Sequence, residues 1–417
     1  VSNHRFHGWQ IVASVFVLLT TFSGLGFYGL AIYLDALTDE RSFSTTSVSL
    51  ATSLFFVVGG ITARLIAPLI ERRDIRWVIG SGGVISSVSL FLLGSVETEF
   101  ELYCVYTLFA IGCSLSGFVP GTTLITRWFH SRRAMALSIA TTGLSVGGLT
   151  LTNFSSHLID RQGLDDAAPT LGLLYFALVL VALPWMWPSP ESRGKAPDGG
   201  ETTTTTTNTE LDSVDYHTAV HSRFFVVTVC GYLLAMAAQV GGIAQLANLG
   251  TERLDRASGA LAVSALAAAS VVGRLLGGMV VDRLSIMRFT IGLAALQGVA
   301  LTLIGFAESS SALVLAAFVF GLTIGNLLML QPLIVSAAFG VAHYPRIFAF
   351  EQLLVTAGVA GGPLLLGFLH DQSSYRTSYL VAAALSASGA VILSQCGTMR
   401  PSPAVLAVSS PRTGNHR

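Results

Sequence analysis

The chain has one lysine in 417 residues, Lys195, and it stands in a polar segment. A Gly-rich loop ending in Lys-Ser or Lys-Thr is therefore absent, which excludes the usual phosphate cradle of an ATPase. Charge is scarce altogether: Asp, Glu, Lys and Arg make up 11% of the residues and cancel to a net charge of zero. With no basic stripe either, no nucleic-acid partner is expected. Cysteine is limited to Cys104, Cys113, Cys230 and Cys396, each inside an apolar stretch. Small apolar packing is their expected use, with no disulfide, redox or metal role. No nucleophile, base and acid stand at usable spacing, so neither an enzyme nor a cofactor is expected. His217 and His221 fit one helix face, yet in an acidic tether they read as solvated polar residues and not as metal ligands.

What fills the chain instead is apolar. Hydrophobic residues are 52% of it and the mean hydropathy is +0.68, hard for a soluble chain of this length. Twelve long apolar stretches stand six on each side of the polar segment Pro188 to Ser222. A bilayer core about 30 Å thick needs roughly 20 apolar residues per helical crossing, and each stretch meets that length. Crossings are predicted at 9–33, 45–70, 76–95, 101–126, 134–158 and 169–187, then at 223–248, 257–281, 289–307, 312–336, 346–369 and 377–396. The expected fold class is an all-α membrane protein with twelve transmembrane helices in two six-helix bundles. Residues 1–188 form the first bundle, 189–222 a flexible linker with Gly199-Gly200 and the Thr202 to Thr207 run, 223–396 the second bundle, and 397–417 a tail. No small-residue cleavage site follows the first stretch, so it reads as a retained helix and not a signal peptide.

Placing both termini on one side leaves 16 of the 23 basic residues on that side and 5 on the other, with Arg64 and Arg274 inside spans. The positive-inside rule then puts termini and linker in the cytoplasm. Arginine in place of lysine, together with an opening Val, fits a GC-rich bacterial genome and hence a bacterial inner membrane.

The halves look like repeats. Ala63-Arg64-Leu65-Ile66 followed by Glu71-Arg72-Arg73 in the second span matches Gly273-Arg274-Leu275-Leu276 followed by Asp282-Arg283 in the eighth. Two bundles related by an axis along the membrane normal, with a substrate between them, are the arrangement of major facilitator carriers. The stretch Arg127-Trp128-Phe129-His130-Ser131-Arg132-Arg133-Ala134-Met135-Ala136, continuing to Gly143 and Gly147, resembles the branch of that superfamily holding monocarboxylate porters and oxalate/formate exchangers. Phe339-Gly340, Arg346, Gly361-Gly362-Pro363, Gly367, Asp371 and Tyr375-Arg376 resemble the same branch's tenth to twelfth helices. The resemblance runs from about Gly8 to Cys396.

Arg274 lies roughly 12 Å deep at 1.5 Å per residue from Asp282, where a charge costs about 2.5 to 3.5 kcal/mol and must face a wet cavity or a partner. The resemblance implies that it binds a substrate carboxylate, for which a guanidinium's planar fork is suited; a gate ion pair is the other use. Arg64 sits shallower and reads as a gate residue able to snorkel or pair. Glu351 is the one acid well inside a span, read equally as a proton site raised by burial or as a gate partner of Arg64 or a nearby arginine. Asp282 and Arg283 are expected to hold the gate through ion pairs that break in the other state. Tyr28, Asn153, Gln239, Asn326 and Gln331 are candidates for the pocket wall, since polar side chains within spans face the interior; interhelical hydrogen bonding explains each as well. Phe27, Phe118 and Phe350 suit an apolar tail or plain packing. His157 reads as an interface histidine.

Gly143 with Gly147, Gly273 with Gly277, Gly321 with Gly325 and Gly358 with Gly362 are small-xxx-small pairs that let backbones approach closely. Their number favours faces that slide, static packing being the alternative. Pro332 and Pro363 are expected to kink their helices. Against the branch, the eleventh helix lacks a lysine to pair with Arg274 on a dicarboxylate, the first helix lacks one too, and Ser270 stands where an acid precedes the arginine in animal-type porters. A monoanion needs only Arg274. The expected function is a monomeric secondary transporter moving a small organic monocarboxylate by alternating access, proton-coupled or anion-exchanging, with the lipid bilayer and a co-transported proton as its other partners. The alternatives are a drug or amphiphile efflux carrier of the same fold and a transport-silent membrane sensor.

Overall fold

The computed structural model describes residues 7–41, 43–191, 197–199 and 213–397. Among them the chain is helical with no strand, as lipid demands: a spanning segment without water must satisfy its backbone internally. We number the crossings α1 (Gly8–Arg41), α2 (Thr45–Arg72), α3 (Ile75–Leu93), α4 (Glu99–Trp128), α5 (133–162) and α6 (164–182), then α7 (Arg223–Arg253), α8 (Arg256–Val280), α9 (Ile286–Gly305), α10 (Ser310–Phe339), α11 (Tyr344–Gln372) and α12 (Tyr375–Ser394). α5 and α6 run together over 50 residues, far beyond one bilayer, and the break falls at Gly163, whose φ of 78° suits glycine. A short helix, Tyr216–Val220, precedes α7.

Helix starts are fixed by side chains that accept otherwise orphaned backbone N–H groups. Ser44, Asp74, Thr98, Ser222, Asp255, Ser309 and Ser374 each cap the helix that follows. At Thr98 the bond is reciprocated by Glu101, a capping box.

α1 runs eight residues past the predicted end at 33, because Asp35 to Arg41 form polar helix beyond the apolar window. Arg41 ties that extension to the Gly94 carbonyl and to Asp165, and the Glu40 carboxylate accepts from Leu164 N at 2.7 Å. Within α1 the turn at Phe22–Phe27 widens to a π-helix, a form frequent at functional sites.

Both halves pack by one scheme. The pairs α1–α5, α2–α4, α3–α4 and α3–α6 recur as α7–α11, α8–α10, α9–α10 and α9–α12. The small-xxx-small pairs sit on these seams and correct the expectation of sliding faces. Gly143 and Gly147 lie on α1 backbone, Gly273 on α10 backbone with Gly277 on the Asn326 side chain of α10, Gly321 and Gly325 on α8 backbone, and Gly358 and Gly362 on α7 backbone, with no room for a Cβ at any of them. Each seam lies within one half, where backbone-to-backbone contact demands fixed geometry.

The halves meet at one end, where the described part of the linker also docks. There α2 packs on α11, α5 on α8 and α10, and α4 on α11. Among the described residues the hydrogen bonds, ion pairs and ring contacts between halves all lie from this linker end to mid-depth. None of these contacts joins the halves at the far end, which we read as the open one. Large apolar side chains such as Leu65, Trp77, Phe100, Leu173 and Leu364 point outward, the belt a bilayer requires.

Candidate functional site

Arg274 of α8 is 1% exposed and stands where the closed end meets the open one. Its Nε donates to the Gly325 carbonyl of α10 at 3.1 Å. Its Nη1 donates to the Thr141 carbonyl of α5 and faces Ser145 Oγ at 3.4 Å. Ser145 is twelve residues into α5, roughly 18 Å from the linker end and so near the bilayer centre. Among the described residues Nη2 has no hydrogen-bond partner and no carboxylate pairs with the guanidinium. The main chain returns the connection, since Ser138 Oγ of α5 donates to the Arg274 carbonyl at 2.6 Å. One cation thus ties α8 and α10 to α5, across the two halves, with one edge of its fork unspent.

Tyr28 lies beside it. The phenol follows the π turn of α1, its ring lies over Gly148 of α5, and it interacts electrostatically with Arg274. It is nevertheless 43% exposed; neighbours on the interior face mean that the exposure is to the open cleft and not to lipid. Phe27 packs edge-on against Tyr28 and Phe56, ring centroids 5.1 and 5.7 Å apart, an apolar wall next to the cation.

Among the described residues none of the other wall candidates bonds to Arg274 or Tyr28. Asn153 is exposed eight residues beyond Ser145 and donates to the Leu149 carbonyl of its own helix at 2.6 Å. Asn326 is buried and donates to the Gly273 and Leu322 carbonyls at 2.8 and 2.9 Å, which makes it a clamp between α8 and α10, the interhelical use weighed for it. Gln239 is buried in α7 with Oε1 unpartnered. Gln331 is buried in α10, its Oε1 accepting from Gln352 Nε2 at 3.4 Å, and it faces Glu351. His157 is exposed near the far end of α5.

The gate differs from the expectation. Arg64 does not pair with Glu351; its Nη2 donates to Tyr216 Oη at 2.8 Å and its guanidinium lies over the Tyr216 and Phe350 rings, 4.8 and 5.8 Å from their centroids. The linker's short helix supplies the better partner, an aromatic face with a hydroxyl. Glu351 is 1% exposed with both carboxyl oxygens unpartnered. Arg283 is exposed and in no ion pair among the described residues, and the Asp282 side chain lies outside them. The ion pair that does join the halves is Arg346 of α11 with Glu71 of α2, Nε to Oε2 2.8 Å, with His343 Nδ1 4.0 Å from Oε1. Phe118 and Phe348 pack at 5.8 Å beside it, and Tyr344 Oη donates to Thr122 Oγ1 at 3.0 Å.

Sequence reasoning missed Thr141, Ser145 and the Glu71 to Arg346 pair. Ser145, a hydroxyl between Gly143 and Gly147, was a usable signal; the carbonyls of Thr141 and Gly325 carry none. Cys113 and Cys396 are buried as expected of packing cysteines, whereas Cys104 and Cys230 are exposed on the outer surface. His217 and His221 stack at 4.3 Å, and no metal-holding group of three side chains occurs among the described residues.

Comparison with known proteins follows from this geometry. The family profile described as Major Facilitator Superfamily matches residues 16–332 and 253–412. Monocarboxylate transporter 13 of Rattus norvegicus is 23% identical over 93% of this chain and 88% of its own. Monocarboxylate transporter 11 of Homo sapiens is 25% identical over 92% of this chain and 82% of its own. The crystal structure of the E. coli fucose:proton symporter superposes with a TM-score of 0.71 at 14% identity, covering 94% of this chain and 100% of that one; this likeness is one of fold.

Proposed function

The chain belongs to the Major Facilitator Superfamily, and on that premise we propose that it carries a small organic monocarboxylate across its membrane by alternating access, with Arg274 as the anion site. It is a secondary transporter that resembles the monocarboxylate branch. The observation that carries the finer reading is a guanidinium at mid-membrane, without an acidic partner among the described residues, with Nη2 unspent on the side that we read as open. An isolated cation there is costly, and an arriving carboxylate would supply the missing acceptors in a bidentate geometry. Tyr28 is placed to donate a further hydrogen bond, and Phe27 and Phe56 to pack on a short tail.

The same bonds suggest how binding is felt by the gate. A carboxylate on Arg274 competes with the Thr141 carbonyl and Ser145, the contacts that hold α8 to α5. Substrate therefore weakens the closed end while it occupies the open one, a differential interaction of the kind a conformational shift requires. With the linker end cytoplasmic by the positive-inside rule, the described state faces outward; arginine use keeps a bacterial inner membrane as its expected home. A single cation suits a monoanion better than a dicarboxylate.

Thermal-shift screening of the purified protein tests the reading, because a ligand that prefers the native state raises its melting point. C2 to C6 monocarboxylates should raise it and their amides should not. Stabilisation by uncharged amphiphiles alone would select the efflux reading and reject this one.

A further inference from the structure

Glu351 sits seven residues into α11, roughly 10 Å from the linker end, with no cation against it among the described residues. Every element packed on α11 is accounted for. α7 presents Tyr232, whose hydroxyl is also buried and unpartnered; α10 presents Gln331, whose Nε2 is buried and unpartnered. Tyr344 of the same helix spends its hydroxyl on Thr122 of α4. Arg64 of α2 is held by Tyr216, and α12 presents no charged side chain to it. Gln331 Nε2 and Tyr232 Oη are the donors beside it, but with no counter-charge among the described residues an ionised carboxylate buried here would be costly. The closed linker end therefore favours the protonated acid.

Opening that end parts α11 from α2 and α4 and brings water to the carboxyl. α10 then connects the acid to the anion site: the Gly325 carbonyl accepts from Arg274, and Gln331, six residues on and roughly 9 Å away along the axis, faces Glu351. One helix, continuous through Pro332 directly after Gln331, touches both groups.

We propose that Glu351 is a proton-binding site, filled whenever the linker end closes, and that α10 couples its occupancy to the anion on Arg274. The balance is simple. When the linker end opens, the Glu351 O–H bond breaks, the proton passes to water on that side and the carboxylate is solvated; before closure it takes a proton back. Each closure is thus linked to one proton, which makes the cycle pH-sensitive beyond plain anion exchange. The gate element of this inference rests on the alternating-access reading; the proton site itself does not.

Two measurements test it, and neither needs the substrate. Spin labels at Arg73→Cys and Ala342→Cys, with the four native cysteines replaced by serine, report the linker-end distance in proteoliposomes. The open-to-closed ratio should fall by up to tenfold per pH unit on acidification, and in Glu351→Gln, isosteric with the acid, the closed form should dominate at every pH. Glu71 and His343 are the other titratable groups of the gate, and His130, His217 and His221 stand in the loops at this end, so Glu71→Gln, His343→Gln and a His130, His217 and His221 triple Gln variant should each keep the slope of the wild-type pH response. A response that survives in Glu351→Gln, or vanishes in any of these controls, overturns the gate role. Infrared difference spectra of the closed protein should show a protonated carboxyl C=O stretch that Glu351→Gln removes. Absence of that band from the wild type overturns the proton site. Labels that report one distance under every condition would reject the gate and alternating access together, leaving the band to decide the site.

Discussion

Arg274 Nη1 donates to the main-chain carbonyl of Thr141, so the cation that we propose as the anion site is also a bond between the two halves. Site and gate share an atom. The coupling between them is therefore local, within one side chain, and needs no long relay.

Arg274→Lys should keep the charge and lose affinity. An ammonium has no planar fork and cannot hold Gly325, Thr141 and a carboxylate together. Losing one charge-assisted hydrogen bond, about 1.5 to 3 kcal/mol, should weaken apparent affinity roughly tenfold to a hundredfold, read from the concentration dependence of uptake in proteoliposomes. Lysine kinetics equal to wild type would show that charge alone suffices.

Glu71→Gln should release the closed end. The ion pair with Arg346 is partly shielded, with side-chain exposures of 13% and 25%, and a pair of this kind contributes about 1 kcal/mol. The open fraction at the linker end should rise about fivefold, measured by the same label pair, with little change in melting temperature. An unchanged distance distribution would mean that the aromatic contacts close the gate without it.

Gly362→Ala and Gly361→Ala should differ sharply although they are neighbours. A Cβ at Gly362 would overlap the Ala237 carbonyl of α7, whereas nothing lies within 4 Å of one at Gly361. Overpacking of a tight seam costs about 1 to 3 kcal/mol, so only Gly362→Ala should lower the melting temperature in detergent. Equal tolerance at both would restore the idea of a yielding interface.

The crossings were legible in the sequence because a bilayer imposes one length on every apolar run, and Arg274 was legible because a charge in such a run has nowhere inert to go. Its partners were not. Thr141 and Gly325 contribute carbonyls, which every residue has, and only the packing of α5 against α8 selects those two. The pairing of Glu351 with Arg64 failed for a related reason: Tyr216, in a segment that reads as tether, reaches Arg64 first. The glycine pairs marked close approach correctly, but spacing along one helix says nothing about whether the partner helix lies in the same half.

Asn326→Ala separates a clamp from a ligand. With its Nδ2 spent on Gly273 and Leu322, its loss should cost about 1 kcal/mol of stability, seen as a lower melting temperature, while apparent affinity for the transported acid stays within twofold. An affinity loss without destabilisation would move Asn326 into the binding site.

The most direct test of the anion site is uptake of a radiolabelled monocarboxylate, chosen from the thermal-shift panel, into proteoliposomes containing wild type or Arg274→Ala. Circular dichroism and size-exclusion profiles should match, and carboxylate-dependent uptake should disappear in the variant. Uptake at the wild-type rate and affinity by folded Arg274→Ala protein would contradict the assignment.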